Sequence, residues 1–135
     1  MTRYLLDTNA AADCIFRRQG IHDRVKQARL AGHKIGIGIP VLAELLAGIE
    51  FSVTRERNLE ILQRNIQLFR VWPLTTAAAK EYARLYAELR RRGRPMQTMD
   101  QLIAAIALSL GDCTVVTADS DLSAVPGLKV EDWSA

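Results

Sequence analysis

The strongest constraint on the fold is the regular alternation of short apolar segments with longer amphipathic ones. Each short segment has the length and aliphatic content of a buried strand, and each longer one repeats its apolar residues with helical spacing. Parallel strands that are joined by helices form a sheet covered on both faces, with right-handed crossovers. The sequence therefore predicts an α/β fold with a mainly parallel central sheet. The predicted strands are RYLLD at 3–7, KIGIGI at 34–39, RVWPL at 70–74, CTVVTAD at 113–119 and, as an edge strand, LKVEDW at 128–133.

Glycine, proline and capping residues predict where the helices between these strands begin and end. Gly20 closes the first helix, which starts at Thr8, and Gly32 closes the second. Pro40 opens the third, because proline is tolerated in a first helical turn. A fourth helix is predicted at 54–69. A long helix follows, with Thr75 as its N-cap and a buried stripe of Ala78, Tyr82, Leu85, Tyr86 and Leu89. The last predicted helix is 99–111, and Thr98 and Gln101 at its start have the spacing of a capping box.

Length and composition indicate one folded domain. A chain of 135 residues can bury a single core, so we expect one domain over 1–135. No apolar run approaches the roughly 20 residues that span a bilayer, and no targeting segment is recognisable, so we expect a cytoplasmic protein without a membrane partner. Cys14 and Cys113 lack metal-ligand spacing and are expected to be reduced structural thiols. Arginine supplies 14 of the 18 basic residues, which is compatible with a polyanionic partner.

Four acidic residues stand where an open α/β sheet gathers its functional groups. Asp7 ends the first predicted strand, and Asp119 ends the fourth. Glu44 lies one turn into the helix that leaves the second strand, and Asp100 lies in the first turn of the helix before the fourth strand. Ligands of such sheets bind beyond the carboxyl ends of the strands. We therefore expect the four carboxylates to converge on one edge.

Each of these acids also has a structural explanation. Asp100 could complement a helix dipole, and Asp119, within TADSD, could form an Asx turn. Glu44 is harder to explain in this way because its neighbours in VLAELLAG are apolar, and Asp7 is harder still because strands are depleted in aspartate. The occurrence of all four at strand and helix ends favours a joint role.

A cluster of carboxylates has a predictable chemistry. Close carboxylates repel one another, which raises their pKa values unless a cation compensates. Sets of oxygen ligands are typical of Mg²⁺ or Mn²⁺ rather than zinc. Such ions polarise phosphoryl oxygens and lower the pKa of a bound water. The four acids therefore predict metal-dependent hydrolysis of phosphate esters.

Four segments occur in a recognisable order: LLDTN, IPVLAELLAGIE, TMDQLIAAIAL and VVTADSDLSAVPGLKVEDW. Over essentially the whole chain they resemble the PIN domain family and, within it, the VapC-type ribonuclease toxins of bacterial toxin–antitoxin pairs. The resemblance implies a three-layer α/β/α domain, a homodimer and an Mg²⁺- or Mn²⁺-dependent endoribonuclease that cleaves RNA, with transfer RNA among the family's substrates. It also implies neutralisation by a cognate VapB-type antitoxin whose C-terminal segment inserts near the active site.

The same resemblance implies a role for individual positions. The metal-binding or metal-positioning acids are Asp7, Glu44, Asp100 and Asp119, and the residues that shape the site through hydrogen bonds are Thr8, Asn9 and Thr117.

The fourth acid departs from the family pattern. Many relatives have asparagine where this chain has Asp119, and an aspartate a few residues later. Here Asp121 follows closely, so either residue is a candidate for supporting the metal. Asp119 is preferred because it directly leaves the strand.

Other polar and aromatic features fit structural roles at least as well as functional ones. The run RRRGRP at 90–95 could bind RNA phosphates, but basic residues in a last helical turn also stabilise the helix dipole and the terminal carbonyls, and the structural interpretation is preferred. His22 and His33 have no metal-ligand spacing and are expected on the surface. Trp72 and Trp133 adjoin apolar strands, which favours packing over base stacking.

A noncatalytic alternative uses the same acids. An acidic crevice could bind an arginine of a partner protein through bidentate hydrogen bonds. Divalent-ion dependence of RNA cleavage distinguishes this binding module from the nuclease. A phosphatase of the haloacid-dehalogenase type would need an aspartate two residues after Asp7, where the chain has Asn9.

Overall fold

The computed structural model describes residues 1–134 and contains one parallel sheet. Within that range the strands are β1 Arg3–Leu6, β2 Lys34–Gly38, β3 Arg70–Trp72, β4 Cys113–Val116 and β5 Lys129–Glu131. Their order across the sheet is β3-β2-β1-β4-β5, and each neighbouring pair is parallel. The predicted α/β class with a parallel central sheet is confirmed.

Helices connect the strands in the predicted alternation. They are α1 Thr8–Ile15, α2 Ile21–Leu30, α3 Ile39–Phe51, α4 Arg55–Asn65, α5 Thr76–Arg91, α6 Thr98–Leu110 and α7 Ser120–Ser123, with a 3₁₀ turn at Ile66–Leu68. As predicted, the Thr75 hydroxyl caps α5, accepting a hydrogen bond of 3.1 Å from the Ala78 backbone N–H. Among the described residues, no helix combines the length and the apolar character needed to cross a bilayer.

The core lies between the central strands and the helices that cover them. Leu5, Ile37 and Val115, from the three central strands, are fully buried. At Gly36 two strands approach so closely that an added Cβ would collide with the Arg70 carbonyl oxygen and lie 2.6 Å from the Trp72 ring. Only glycine fits there, because β2 pairs with β3 directly beneath that ring.

Three predicted helix features are wrong. The first helix ends at Ile15 rather than near Gly20, because Arg17 and Gln19 have φ values of 57° and 60°, which a right-handed helix excludes. The fourth helix ends at Asn65 and continues only as the 3₁₀ turn. The predicted inward residue Tyr86 is 40% exposed.

The predicted capping box is also absent from the start of α6. Thr98 is already helical, and the N-cap residue Gln97 makes no side-chain cap within residues 1–134. The buried Gln101 amide instead donates to the Met96 carbonyl oxygen at 2.5 Å, which ties the loop before the helix to its first turns.

The aromatic, histidine and cysteine side chains are mostly structural. His22 is only 6% exposed, so its predicted surface position is wrong. Burial lowers the pKa of His22, and the positive charges of Arg17 and Lys26 lower it further. Trp133 is buried as predicted and donates from its indole N–H to Glu131 at 3.0 Å. Burial raises the pKa of the Cys14 thiol to about 12 and that of Cys113 to about 11, which keeps both protonated.

Candidate active site

Asp7 joins the end of β1 to the start of α1 and is held in place by several hydrogen bonds. It is the N-cap of α1, where its Oδ1 accepts the Ala10 N–H at 2.8 Å. Its Oδ2 accepts the Thr117 hydroxyl, and its own N–H donates to the Val116 carbonyl oxygen at 3.1 Å. Asp7 is only 6% exposed. The carboxylate is therefore both buried and fixed in orientation.

Thr117 connects the ends of the neighbouring strands β1 and β4. Its side chain is buried, and besides donating to Asp7 it accepts the Asp119 N–H at 2.9 Å. Asp119 in turn accepts the Asp121 N–H at 2.9 Å and caps the short helix α7. The turn that sequence reasoning offered as the structural explanation of Asp119 is thus real, and it places the carboxylate beside Asp7.

Asp100 and Glu44 approach from two other helices. Asp100, in the first turn of α6, brings a carboxylate oxygen within 4.8 Å of one from Asp119 and one from Asp121. Glu44 is exposed on α3, and so is the neighbouring Leu46, which shows that the apolar surroundings of Glu44 in the sequence do not bury it.

These elements enclose a small polar cleft, which we call the acidic cleft. It has a volume of about 150 Å³. Its lining residues are Asp7, Thr8, Asn9, Glu44, Gln97, Met99, Asp100 and Asp119. The structure therefore brings the four predicted acids together with Thr8 and Asn9, while Thr117 lies beneath Asp7 and Asp121 lies exposed beside Asp100 and Asp119.

Sequence reasoning missed Gln97 and Met99. Both flank Asp100, at the point where the chain enters α6. Their position next to a predicted site residue was the signal that could have identified them.

Crowding and burial make the acidic cleft electrostatically strained. Burial is the main cause of the raised pKa of Asp7, with the charges of Asp119 and Asp13 adding to it, and the hydrogen bonds from Thr117 and Ala10 act in the opposite direction. Burial likewise raises the pKa of Asp100 to about 6, helped by the charges of Asp119, Asp7, Asp121 and Glu44. A bound cation would relieve this repulsion.

Thr8 offers a further polar group to the acidic cleft. Its Oγ1 is buried and, within residues 1–134, has no hydrogen-bond partner. A buried hydroxyl without a partner is uncommon in a native structure and indicates a place for a ligand or water. With the carboxylates, it gives a donor set made of oxygen, which suits a hard divalent cation.

An apolar groove of about 240 Å³ adjoins the acidic cleft. Thr8 and Glu44 line both of them. The groove continues along the α1–α3 side, over Ala12, Phe16, Leu45, Gly48, Ile49 and Asn58. An extended or helical segment could therefore pack in the groove and reach the acids with its end.

The arginine run after α5 is partly engaged within the protein. Arg92 pairs with Glu88 at 2.9 Å, and the Arg90 guanidinium lies 4.7 Å from the centre of the Tyr86 ring. Arg91 and Arg94 are exposed. Arg90 and Arg92 therefore fit the structural role that was preferred for this run over the binding of RNA phosphates.

Comparisons with known proteins agree with this geometry. The family model of the PIN domain matches residues 4–128. The tRNA(fMet)-specific endonuclease VapC of Shigella flexneri is 36% identical over 135 residues, which cover 99% of this chain and 100% of that protein. The protein of the same name from Salmonella typhimurium is 33% identical over 134 residues, covering 98% and 99%.

Several solved structures with the same fold are toxin–antitoxin complexes. The chain superimposes on DNA-bound VapBC from Salmonella typhimurium with a TM-score of 0.89 and 33% identity, covering 98% of this chain and 99% of that one. VapBC2 from Rickettsia felis, bound to a DNA fragment from its promoter, gives a TM-score of 0.91 at 25% identity with the same coverage.

Proposed function

This chain belongs to the PIN domain family, in its VapC branch, and on that premise we propose that it is the toxin of a toxin–antitoxin pair and acts as a metal-dependent endoribonuclease. The observation that carries the proposal is the convergence of Asp7, Glu44, Asp100 and Asp119 on one cleft at the carboxyl edge of the sheet. Nuclease names among the relatives support the reaction class.

The acidic cleft has the properties of a site for Mg²⁺ or Mn²⁺. Its ligands are oxygens, the carboxylates of Asp100, Asp119 and Asp121 are close enough to share an ion, and the raised pKa of Asp100 reports repulsion that an ion would relieve. A divalent ion held there would polarise a phosphoryl oxygen of the substrate and lower the pKa of an attacking water.

The protein residues position the reacting groups. Asp7 cannot rotate freely because Ala10 and Thr117 hold its two oxygens, so it presents a fixed carboxylate to the acidic cleft. Thr117 keeps Asp7 and the Asp119 loop in register. Between the two candidates for the fourth acid we favour Asp119, because it lines the cleft while Asp121 lies at its outer side.

We infer that the substrate is a structured RNA of the transfer RNA class. Two relatives that match nearly the whole chain at 33% and 36% identity are named for cleavage of tRNA(fMet). The narrow acidic cleft admits a single strand more readily than a duplex, so we expect cleavage in a loop. We therefore also propose a cytoplasmic location, where transfer RNA is found.

The proposed partner is a VapB-type antitoxin. Several solved relatives are VapBC complexes, and the apolar groove leads directly into the acidic cleft. An antitoxin segment with apolar residues followed by an arginine would fill the groove and place a guanidinium among the carboxylates. The homodimer remains a prediction from the family resemblance.

The test is RNA cleavage by the purified protein after removal of any antitoxin. Cleavage of transfer RNA with Mg²⁺ or Mn²⁺, its loss in excess EDTA, and its loss in Asp100→Asn are the expected results. Sequencing the 5′ ends of the fragments identifies the cleaved bond. Cleavage that persists in EDTA, or tight binding of an arginine-bearing antitoxin without cleavage of any RNA under any metal condition, would favour the noncatalytic module instead.

A further inference from the structure

Another cavity lies at the opposite edge of the sheet from the acidic cleft. This cavity, which we call the basic groove, has a volume of about 740 Å³. It is formed by the end of α2, the turn into β2, the start of β2, the 3₁₀ turn and the start of β3. Its basic lining residues are Lys26, Arg29, His33, Lys34 and Arg70.

The charge of the basic groove is not balanced locally. No carboxylate lines it, and within residues 1–134 neither the two lysines nor the two arginines of the lining form an ion pair. Three arginines on helices away from the groove, Arg55, Arg64 and Arg84, each pair with a glutamate. The groove is therefore a concentrated positive surface and not part of a mixed one.

His33 adds a fixed donor to this surface. Its Nδ1 accepts the Thr2 backbone N–H at 3.0 Å, so the neutral ring carries its proton on Nε2. Leu30, which is 90% exposed, stands at the rim, while Ile35 and Phe69 form a buried apolar floor. A ligand of the groove thus meets cations above an apolar base.

The acidic cleft creates a need for such a surface. Its carboxylates repel the phosphates of any RNA that enters, so the affinity for RNA has to come from cations elsewhere on the protein. We propose that the basic groove binds phosphates of a folded RNA while another part of the same molecule occupies the acidic cleft. This inference rests on the proposed function.

The distance between the two sites suits a folded RNA. The five residues of β2 run from Lys34 in the basic groove to Gly38 beside the start of α3, about 13–17 Å of strand at about 3.3 Å per residue. A dinucleotide bound in the acidic cleft is too short to reach the groove, whereas a folded RNA does reach it. The groove therefore distinguishes large RNA substrates from short ones.

The test uses two variants with the same change of charge. Lys26→Gln/Arg29→Gln removes two exposed cations of the basic groove, both from α2. Arg57→Gln/Lys80→Gln removes one arginine and one lysine from exposed helix positions outside it. Thermal melts confirm that both variants are folded.

Binding of transfer RNA is measured by fluorescence anisotropy at several KCl concentrations, with Asp7→Asn added to each protein to prevent cleavage. Losing two phosphate contacts should lower the slope of log K against log salt by about 1.5 and weaken binding about tenfold in the groove variant, with little change in the control. In proteins that retain Asp7, the groove variant should raise KM for transfer RNA without lowering kcat. Both constants should stay unchanged for a dinucleotide substrate.

Two results would overturn the proposal. One is equal affinity and equal salt slope in the groove variant and the control variant. The other is unchanged RNA binding together with loss, in the groove variant alone, of binding to a ten-residue glutamate peptide, which would assign the groove to an acidic protein. Failure of the nuclease proposal is separately visible, because the unsubstituted protein would then cleave no RNA at all.

Discussion

Asp7, which follows β1, and Lys34, which begins the neighbouring strand β2, lie at opposite edges of the same sheet. Their surroundings differ in charge. At the carboxyl edge, Asp7 is buried and accepts two hydrogen bonds. Burial, with the charges of Asp7 and three further carboxylates, raises the pKa of Asp100 there. At the amino edge, Arg3, Lys34, Arg70 and Lys129 begin four of the five described strands. The carboxyl edge thus carries negative charge held in place by hydrogen bonds, whereas basic side chains begin most of the strands at the amino edge.

Helix dipoles explain part of this asymmetry. Helices α1, α6 and α7 begin at the carboxyl edge, and Asp7 and Asp119 are the N-caps of the first and last of these. Carboxylates are stabilised at helix N-termini, and cations at the C-termini that face the other edge. At Asp7 and Asp100 burial and repulsion exceed this benefit, since their pKa values are raised. The buried, crowded carboxylates at the carboxyl edge therefore destabilise the fold when they are ionised.

The largest expected effect comes from removing the fixed charge at Asp7. Asp7→Asn should lower RNA cleavage by at least about a hundredfold, because a carboxylate ligand becomes a neutral amide. The metal-free variant should melt at the same temperature as the unsubstituted protein or higher, since asparagine is an equally good N-cap and the repulsion is relieved. Cleavage assays beside thermal melts in EDTA measure both effects.

Asp112→Asn supplies the matched control for that substitution. Asp112 lies at the amino edge, 4.0 Å from Lys129, and has a φ of 42° that asparagine tolerates. It should retain both cleavage and stability. Unfolding of Asp7→Asn, or undiminished cleavage by it, would make Asp7 a structural residue only.

Added metal should sharpen the comparison between the edges. Mn²⁺ at about one hundred times its dissociation constant should stabilise the protein by about 2.7 kcal/mol, which raises Tm by about 10 °C for a chain of this length. Asp100→Asn should lose most of this gain, while Lys34→Gln should keep it. Calorimetric scans with and without Mn²⁺ decide the question, and an equal gain in the two variants would locate the ion outside the acidic cleft.

Thr117 tests whether the fixed geometry itself matters. Thr117→Val keeps the shape but removes the hydroxyl that donates to Asp7 and accepts from Asp119, so cleavage or metal affinity should fall about tenfold. Thr117→Ser should restore most of the activity because it retains the hydroxyl. If valine and serine behave alike, orientation of Asp7 by this bond is unimportant.

The smallest expected effect is on the pH dependence of stability without metal. A carboxyl whose pKa is raised in the folded state stabilises the fold while protonated, and that contribution is lost as pH rises from below 4 through the folded pKa, about 6 for Asp100. In EDTA, stability should therefore fall between pH 4 and 7 more steeply in the unsubstituted protein than in Asp7→Asn/Asp100→Asn.

Urea midpoints across this pH range measure the difference. His22 contributes with the opposite sign, because its lowered pKa favours the fold as pH rises, but it does so equally in both proteins. If the stability of both proteins changed with pH in the same way, the carboxylates of Asp7 and Asp100 would not repel their neighbours in solution.

Much of the fold was predictable from local patterns. The order of strands and helices follows from apolar periodicity, and Asp7 stands out because a strand rarely ends in an unattended aspartate. Thr75 was recognisable as an N-cap because its hydroxyl acts within its own turn. Local patterns were not always sufficient, since Gln101 bonds the Met96 carbonyl, five positions away, instead of forming the predicted capping box.

Interactions between distant segments decided the rest. The hydrogen bond from Thr117 to Asp7 spans 110 positions, and it required β1 and β4 to become neighbours in the sheet. His22 is buried by packing that its own polar helix does not indicate.

The sequence by itself determined which chemical groups are available: the oxygen donors of the acidic residues and the many arginines. The tertiary structure decided their arrangement, bringing the four predicted acids into one cleft and the cations of α2, β2 and β3 into the basic groove at the other edge. The physical reason is that the interaction energy of charges depends on their separation and burial, and both are set by strand order and helix packing rather than by position in the chain.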